Sequence, residues 1–266
     1  MKNHRLKATL LALIGLALIV QCARAQVSAV NEDLILGVQA LSGTGSSYDY
    51  EVNLGLFTTY TSEAPGGTIN LSSIVSDADI TGTGSSGGFG SNANIVFSVV
   101  GTTNGTTVGS VGSGTVFFTA TTTPTAETGA TLGSGTDNQV SSVYAGLNGQ
   151  ASTSNSAEAA FITATSGNSY TTQENTTNGE FFSLPTTGTA SVASGSIALY
   201  EDNASESLGQ SGTLGTISKI GTFSFVNGTT FEFQAVPEPS TDALMALGGV
   251  LLLVVLNKRR NPAVRL

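Results

Sequence analysis

Carboxylates are the main groups in the middle of this 266-residue chain that could do acid–base or metal chemistry. Between residues 26 and 235 there is no histidine, cysteine or arginine, and Lys219 is the single lysine. That composition removes Ser-His-Asp triads, Cys-His pairs and zinc sites, and leaves little room for a Schiff-base lysine. Carboxylate pairs remain. Asp77 and Asp79 lie two apart, which on a strand would put both on one face, about 7 Å from each other. Asp49 and Glu51 repeat the spacing. Glu201 and Asp202 are adjacent, in what reads as an acidic turn with Asn203 and Glu206. Paired carboxylates could serve glycoside hydrolysis, or could hold calcium together with carbonyl and Asn oxygens. For calcium the candidates are Asp77, Asp79, Glu201 and Asp202. The simpler reading of every pair is a solvated strand face or turn, so no catalytic residue, metal or cofactor is expected. Tyr48, Tyr50, Tyr60 and Tyr144 could stack on sugars, but packing in a core or at a sheet edge explains them as well.

The elements that would position these groups are mostly strands. Leu34-Ile35-Leu36-Gly37-Val38 is a dense apolar strand. Tyr48, Tyr50, Val52, Leu54 and Leu56 then alternate with Asp49, Glu51 and Asn53, the period of a half-buried strand. These two predict a hairpin at a sheet edge. Residues 69–80 predict a helical turn or a short strand. Ile95-Val96-Phe97-Ser98-Val99-Val100 is apolar almost throughout, as a central strand would be. Asn104-Gly105 turns the chain toward a partner strand around Val116, Phe117 and Phe118. Residues 137–148 predict a helix, with Asp137 as N-cap and Val140, Val143, Tyr144 and Leu147 at helical spacing. Residues 157–164 fit helix or strand. Further strands are expected around Ile197 and Leu199 and over residues 213–226. Asn227-Gly228 then joins Phe223-Ser224-Phe225 to Phe231-Glu232-Phe233 in a hairpin with one Phe-rich face. The expected class is mostly β: an antiparallel β-sandwich-like domain with one or two short helices.

Two short motifs are set aside. The glycine-serine run at 82–90 lacks the lysine and following helix of a phosphate loop, and reads as a surface connection. Leu184-Pro185-Thr186-Thr187-Gly188 matches the signal that sortases read. It lies about fifty residues ahead of the terminal apolar run, where a β-turn containing Pro185 and Gly188 is enough.

The two ends carry different information. Residues 1–25 read as a signal peptide. Lys2, Arg5 and Lys7 form a basic start, residues 10–20 an apolar run of 11, too short to span a bilayer, and Ala23-Arg24-Ala25 a small-x-small cleavage site after Ala25. Gln21 is too large for Cys22 to be a lipoprotein cysteine. Removal takes away His4 and Cys22, leaving residues 26–235 as an exported β-rich domain without thiol chemistry. Of eighteen acids only Glu238 and Asp242 fall outside that stretch, so sixteen acids face one base there, a net of −15. Such a surface repels nucleic acid and anionic lipid. Residues 236–266 begin with Val236-Pro237-Glu238-Pro239-Ser240-Thr241. An apolar helix candidate of 17 residues comes next over 240–256, roughly 26 Å long, and then a tail, 257–266, with Lys258, Arg259 and Arg260 as a basic stop. Asp242 and the Pro239-Ser240 pair suit a helix start. The two prolines keep the motif extended. The positive-inside rule keeps the basic cluster cytoplasmic.

This tail resembles the PEP-CTERM sorting signal of Gram-negative bacteria. The resemblance rests on residues 236–241, on the apolar helix with Gly248 and Gly249, and on Lys258, Arg259 and Arg260. The basic cluster is short, and Asp242 adds a charge at the helix start. The resemblance implies recognition and processing by exosortase, a membrane-embedded cysteine protease or transpeptidase. It also implies export to the envelope or surface, often with exopolysaccharide and biofilm production. The order of Asp33-Leu34-Ile35-Leu36-Gly37, Tyr50-Glu51-Val52-Asn53-Leu54-Gly55, Ala198-Leu199-Tyr200 and Gly221-Thr222-Phe223 is also similar to a group of PEP-CTERM proteins, and brings no catalytic residues with it.

The sequence supports two functional expectations. The first is a non-enzymatic envelope, surface or biofilm-matrix protein. It would be exported by the translocon, pass through an inner-membrane intermediate held by the terminal helix, and be processed by exosortase, with exopolysaccharide a possible partner and nucleic acid excluded. The second is a carbohydrate-binding or carbohydrate-active β-sandwich delivered by the same route.

Overall fold

A strand can hide its apolar alternate residues only if a second layer covers them. In this chain one sheet supplies both layers by curling. The computed structural model describes residues 25–82, 88–105, 107–108, 111–126, 128, 136–153, 155–174, 189–193, 195–203 and 214–236. In chain order the described residues form β1 (Asp33–Ala40), β2 (Tyr48–Leu56), α1 (Phe57–Thr61), β3 (Thr68–Asn70), α2 (Asp77–Thr81), β4 (Ile95–Thr102), β5 (Thr115–Ala120), α3 (Asp137–Leu147), β6 (Ala159–Thr163), α4 (Tyr170–Glu174), β7 (Ala190–Ser191), β8 (Ser196–Asn203), β9 (Thr216–Val226) and β10 (Thr230–Ala235). The strands lie in the order β3-β10-β9-β8-β5-β4-β1-β2-β6, with β7 beside the start of β4. Their pairings are antiparallel.

The curl is visible in the rings. β4 and β9 are three places apart in the sheet, about 14 Å if it were flat. Yet Phe97 of β4 meets Phe225 of β9 at 5.0 Å between centroids, and Phe231 of β10 at 5.6 Å. The inner face therefore closes on itself, as the two halves of a sandwich would. It buries Leu34, Leu36 and Val38 of β1 in the same cluster as Phe223, Phe231 and Phe233. Asn227 and Gly228 hold φ of 54° and 73°, the left-handed pair that joins the last two strands. Phe225 thus faces Phe231, and Phe223 faces Phe233.

The outer face of β4, β1, β2 and β6 is covered as well. Val140, Val143, Tyr144 and Leu147 of α3, Tyr170 of α4, and Val27 and Ala29 pack there on Ile35, Val100, Phe118 and Ile162. β1 is consequently buried at every position, which is why it reads as an unbroken apolar run. The predicted edge hairpin is corrected here: β1 lies between β4 and β2, and β2 between β1 and β6. β2 is buried on both faces, including Asp49, Glu51 and Asn53. Other expectations change in detail. Residues 159–163 are strand. Thr136, not Asp137, occupies the N-cap of α3, and the Asp137 carboxylate accepts from Thr102 Oγ1 at 2.7 Å. Glu201, Asp202 and Asn203 continue β8 rather than forming a turn. The signal-peptide core and the terminal helix candidate fall outside the described residues. Among those residues no helix is long and apolar enough to cross a membrane.

One glycine fixes how closely α4 approaches the sheet. A Cβ at Gly37 would lie 2.3–2.5 Å from three carbons of the Tyr170 ring. Tyr170 is fully buried, and its hydroxyl accepts from Ser98 Oγ at 2.9 Å. Gly37→Ala should therefore cost about 1–3 kcal/mol through overpacking, read as a lower denaturation midpoint. An unchanged midpoint would mean that Tyr170 can leave the strand freely.

Candidate functional site

Asp49 and Glu51 do share one face of β2, as their spacing predicts, but a helix end stands where a substrate would. The first N–H groups of a helix have no partner within it. Thr171 donates its backbone N–H to Asp49 Oδ2 at 2.7 Å and its hydroxyl to Oδ1 at 2.5 Å. Tyr170 donates its N–H to Glu51 Oε1 at 2.8 Å. Gln39, opposite Asp49 in the ladder, donates to Glu174 on the same helix. Glu51 Oε2 is buried without a hydrogen-bond partner among the described residues. Burial pushes both carboxyls above their ordinary range. For Glu51 the rise is large, and the charge of Asp49 adds to it. The pair holds α4 onto the sheet.

Asp77 and Asp79 sit in α2, not on a strand. Two positions along a helix is about 200° around it, so the two carboxylates diverge. Asp79 accepts from Thr153 Oγ1 and Asn155 Nδ2, both at 2.6 Å, and more distantly from the Tyr50 hydroxyl. It ties Thr153 and Asn155 to the helix. Glu201 and Asp202 are neighbours on β8 and therefore point to opposite faces. Asp202 is fully buried. Glu201 lines a groove of about 540 Å³ with Thr58, Thr59, Thr61, Ser62, Val108, Val111 and Ile220. Burial raises its pKa. Among the described residues no three His, Cys, Asp or Glu side chains come close enough to share a metal ion.

Three of the four tyrosines are core residues: Tyr50, Tyr60 and Tyr144 are at most 3% exposed, and only Tyr48 of the four reaches the surface. The Tyr60 hydroxyl donates to the Leu54 carbonyl, and the Tyr144 hydroxyl to that of Asp33.

Sequence reasoning missed how the residues on either side of the expected cleavage point are held. Residues 25–30 run beside residues 148–152, with Val27 N–H donating to the Gln150 carbonyl and Ser152 N–H to that of Ala25. Asn148, the C-cap of α3, continues this ladder with its side chain, accepting from Ala29 N–H and donating to the Ala29 carbonyl. An Asn followed by a glycine at the end of a helical pattern was the available signal. Ala25 is exposed and Ala23 falls outside the described residues.

The sheet also sets where the tail departs. Ala235 ends β10, and its N–H donates to the Gly67 carbonyl. Val236 N–H still donates to the Ile220 carbonyl while its side chain is 38% exposed. Pro237, Glu238, Pro239, Ser240, Thr241, Lys258, Arg259 and Arg260 fall outside the described residues, as does Leu184-Pro185-Thr186-Thr187-Gly188.

No curated protein and no solved structure matches the chain. Residues 235–260 match the family model of the PEP-CTERM protein-sorting motif, from the last residue of β10 to Arg260. The chain thus carries a PEP-CTERM sorting motif at residues 235–260, and that motif supports an exported protein addressed to exosortase.

Proposed function

We propose that this chain is an envelope, surface or biofilm-matrix protein without catalytic activity of its own. The translocon exports it, the terminal helix holds it in the inner membrane, and exosortase processes it at residues 236–241. The sorting-motif match at residues 235–260 carries this reading. The architecture supports it in two ways. Asp49, Glu51 and Asp79 are engaged in holding helices and loops, which leaves them unsuited to acid–base work. The motif follows directly on the sheet, its first residue Val236 still hydrogen-bonded to Ile220, and the two prolines after it disfavour helix or ladder pairing, which suits a segment that an enzyme reads. Deleting residues 236–239 should leave the protein unprocessed in the inner membrane, measured by cell fractionation and by the mass of the C-terminus. A deletion variant with the same C-terminal mass and location as the parent would overturn exosortase processing.

The groove beside Glu201 favours a second reading, a carbohydrate-binding module. Its hydroxyls and one carboxylate could hydrogen-bond a polyol, although its described lining has no aromatic ring. Saturable polysaccharide retention that falls at least about tenfold in Glu201→Gln, a loss of roughly 1.4 kcal/mol, would support that reading. Equal retention would exclude the groove.

A further inference from the structure

We propose that Gln26 is a modification site: after cleavage following Ala25, its side-chain amide closes onto its own new α-amino group to give pyroglutamate. The inference rests on residues 1–25 being a removed signal peptide.

The ladder that holds residues 25–30 uses alternate residues. Val27 both donates to the Gln150 carbonyl, at 2.9 Å, and accepts from Gly149 N–H, at 3.1 Å. Ala29 is engaged at both its N–H and its carbonyl by Asn148. Gln26 stands opposite Ala151, in the pairing that leaves its own N–H and carbonyl facing away from the partner. Its side chain is exposed. Val27 and Ala29, each 2% exposed, anchor the chain immediately after it. Cleavage removes the Ser152–Ala25 hydrogen bond and would create a glutamine terminus supported from Val27 onward, with its amine and its amide both open to solvent.

The ring closure needs no co-reactant. The α-amine attacks Cδ, a bond forms from the amine nitrogen to Cδ, and the bond from Cδ to Nε2 breaks. Ammonia leaves with a proton from the amine. Attack within one residue to make a five-membered ring has the entropic advantage of any well-placed intramolecular reaction. The product is an uncharged lactam. Val27 and its ladder are untouched, because the new ring lies on the far side of the Gln26 Cα. The terminal positive charge disappears, leaving Lys219 as the cation of a strongly acidic domain.

The test is peptide mass analysis and Edman degradation of the full chain purified from an exporting host, beside Gln26→Ala. The expected N-terminal peptide begins at residue 26, is lighter by about 17 Da through loss of ammonia, and resists Edman degradation. The Gln26→Ala chain should begin at the same residue and be sequenced normally. A parent peptide that begins at Gln26 with full mass and a free amine would overturn the cyclisation and leave cleavage intact. A peptide that begins elsewhere would overturn both, and a blocked terminus in Gln26→Ala would show that the block does not come from the glutamine.

Discussion

Phe231→Ala is expected to lower the stability of the exported domain by about 3–5 kcal/mol, the cost of emptying a buried aromatic site. Phe231 is fully buried on β10. Its ring lies 4.7 Å from Phe225, 5.4 Å from Phe223 and 5.6 Å from Phe97. Those partners come from β4 and β9, so the ring bridges the two halves of the curled sheet. Little can collapse into the space, because its neighbours are stiff rings fixed by their own strands. A domain of this size has a net stability of about 5–15 kcal/mol, so the loss is a large share. The midpoint of thermal unfolding should drop by roughly 6–20 °C. Phe161→Ala, at a partly buried ring on edge strand β6, should cost markedly less. Equal losses at the two positions would mean that the inner core does not hold the sheet closed.

Glu51→Gln is the opposite case, a substitution expected to stabilise. Glu51 is fully buried, the charged group that acts on it is Asp49 on its own strand, and Tyr170 of α4 is its hydrogen-bond donor. Its carboxyl therefore holds its proton more tightly in the folded state than in the unfolded chain. The folded state binds the extra proton, so stability falls as pH rises. This contribution is fully present below the ordinary glutamate value of 4.5 and is lost as pH climbs through the raised folded value. Asp49, Asp137 and Glu201 are raised by burial as well and add the same sign. The parent should thus be more stable in mild acid than at neutral pH. Gln keeps the acceptor for Tyr170 N–H and carries no charge. It should raise the neutral midpoint by a few degrees, roughly 2–4 °C for each kcal/mol in a domain this size, and flatten the pH slope. Denaturation of both proteins across that range decides the matter. A variant destabilised equally at all pH values would show that the charge of Glu51 is not the issue.

Most strands were legible because their alternation or density is a local property. The Phe-rich hairpin is the best case, since Asn227-Gly228 sets the turn and the phenylalanines set the face. The layer that covers a strand is not a local property. β2 looks half-buried because Asp49, Glu51 and Asn53 alternate with apolar residues, and only the placement of α4 and of residues 25–30 buries the polar side too. Asp137 has the residue type of an N-cap, but a hydroxyl across the domain, that of Thr102, takes its carboxylate. Asp77 and Asp79 mislead because a five-residue helix is too short to leave a periodic trace. The sorting motif is readable from composition and order alone, since its parts are consecutive in the chain.

The exit of the tail from β10 has a mechanical side. A protein tethered by its C-terminus feels tension along the axis of that strand. β10 is hydrogen-bonded along six paired positions to β9 and three to β3, with rungs that run across the pull. Such rungs must slide together rather than unzip one at a time. A load applied at the C-terminal end of β10 would thereby be spread over two ladders at once, which makes the curled sheet a strain-resistant mooring for a tail under tension.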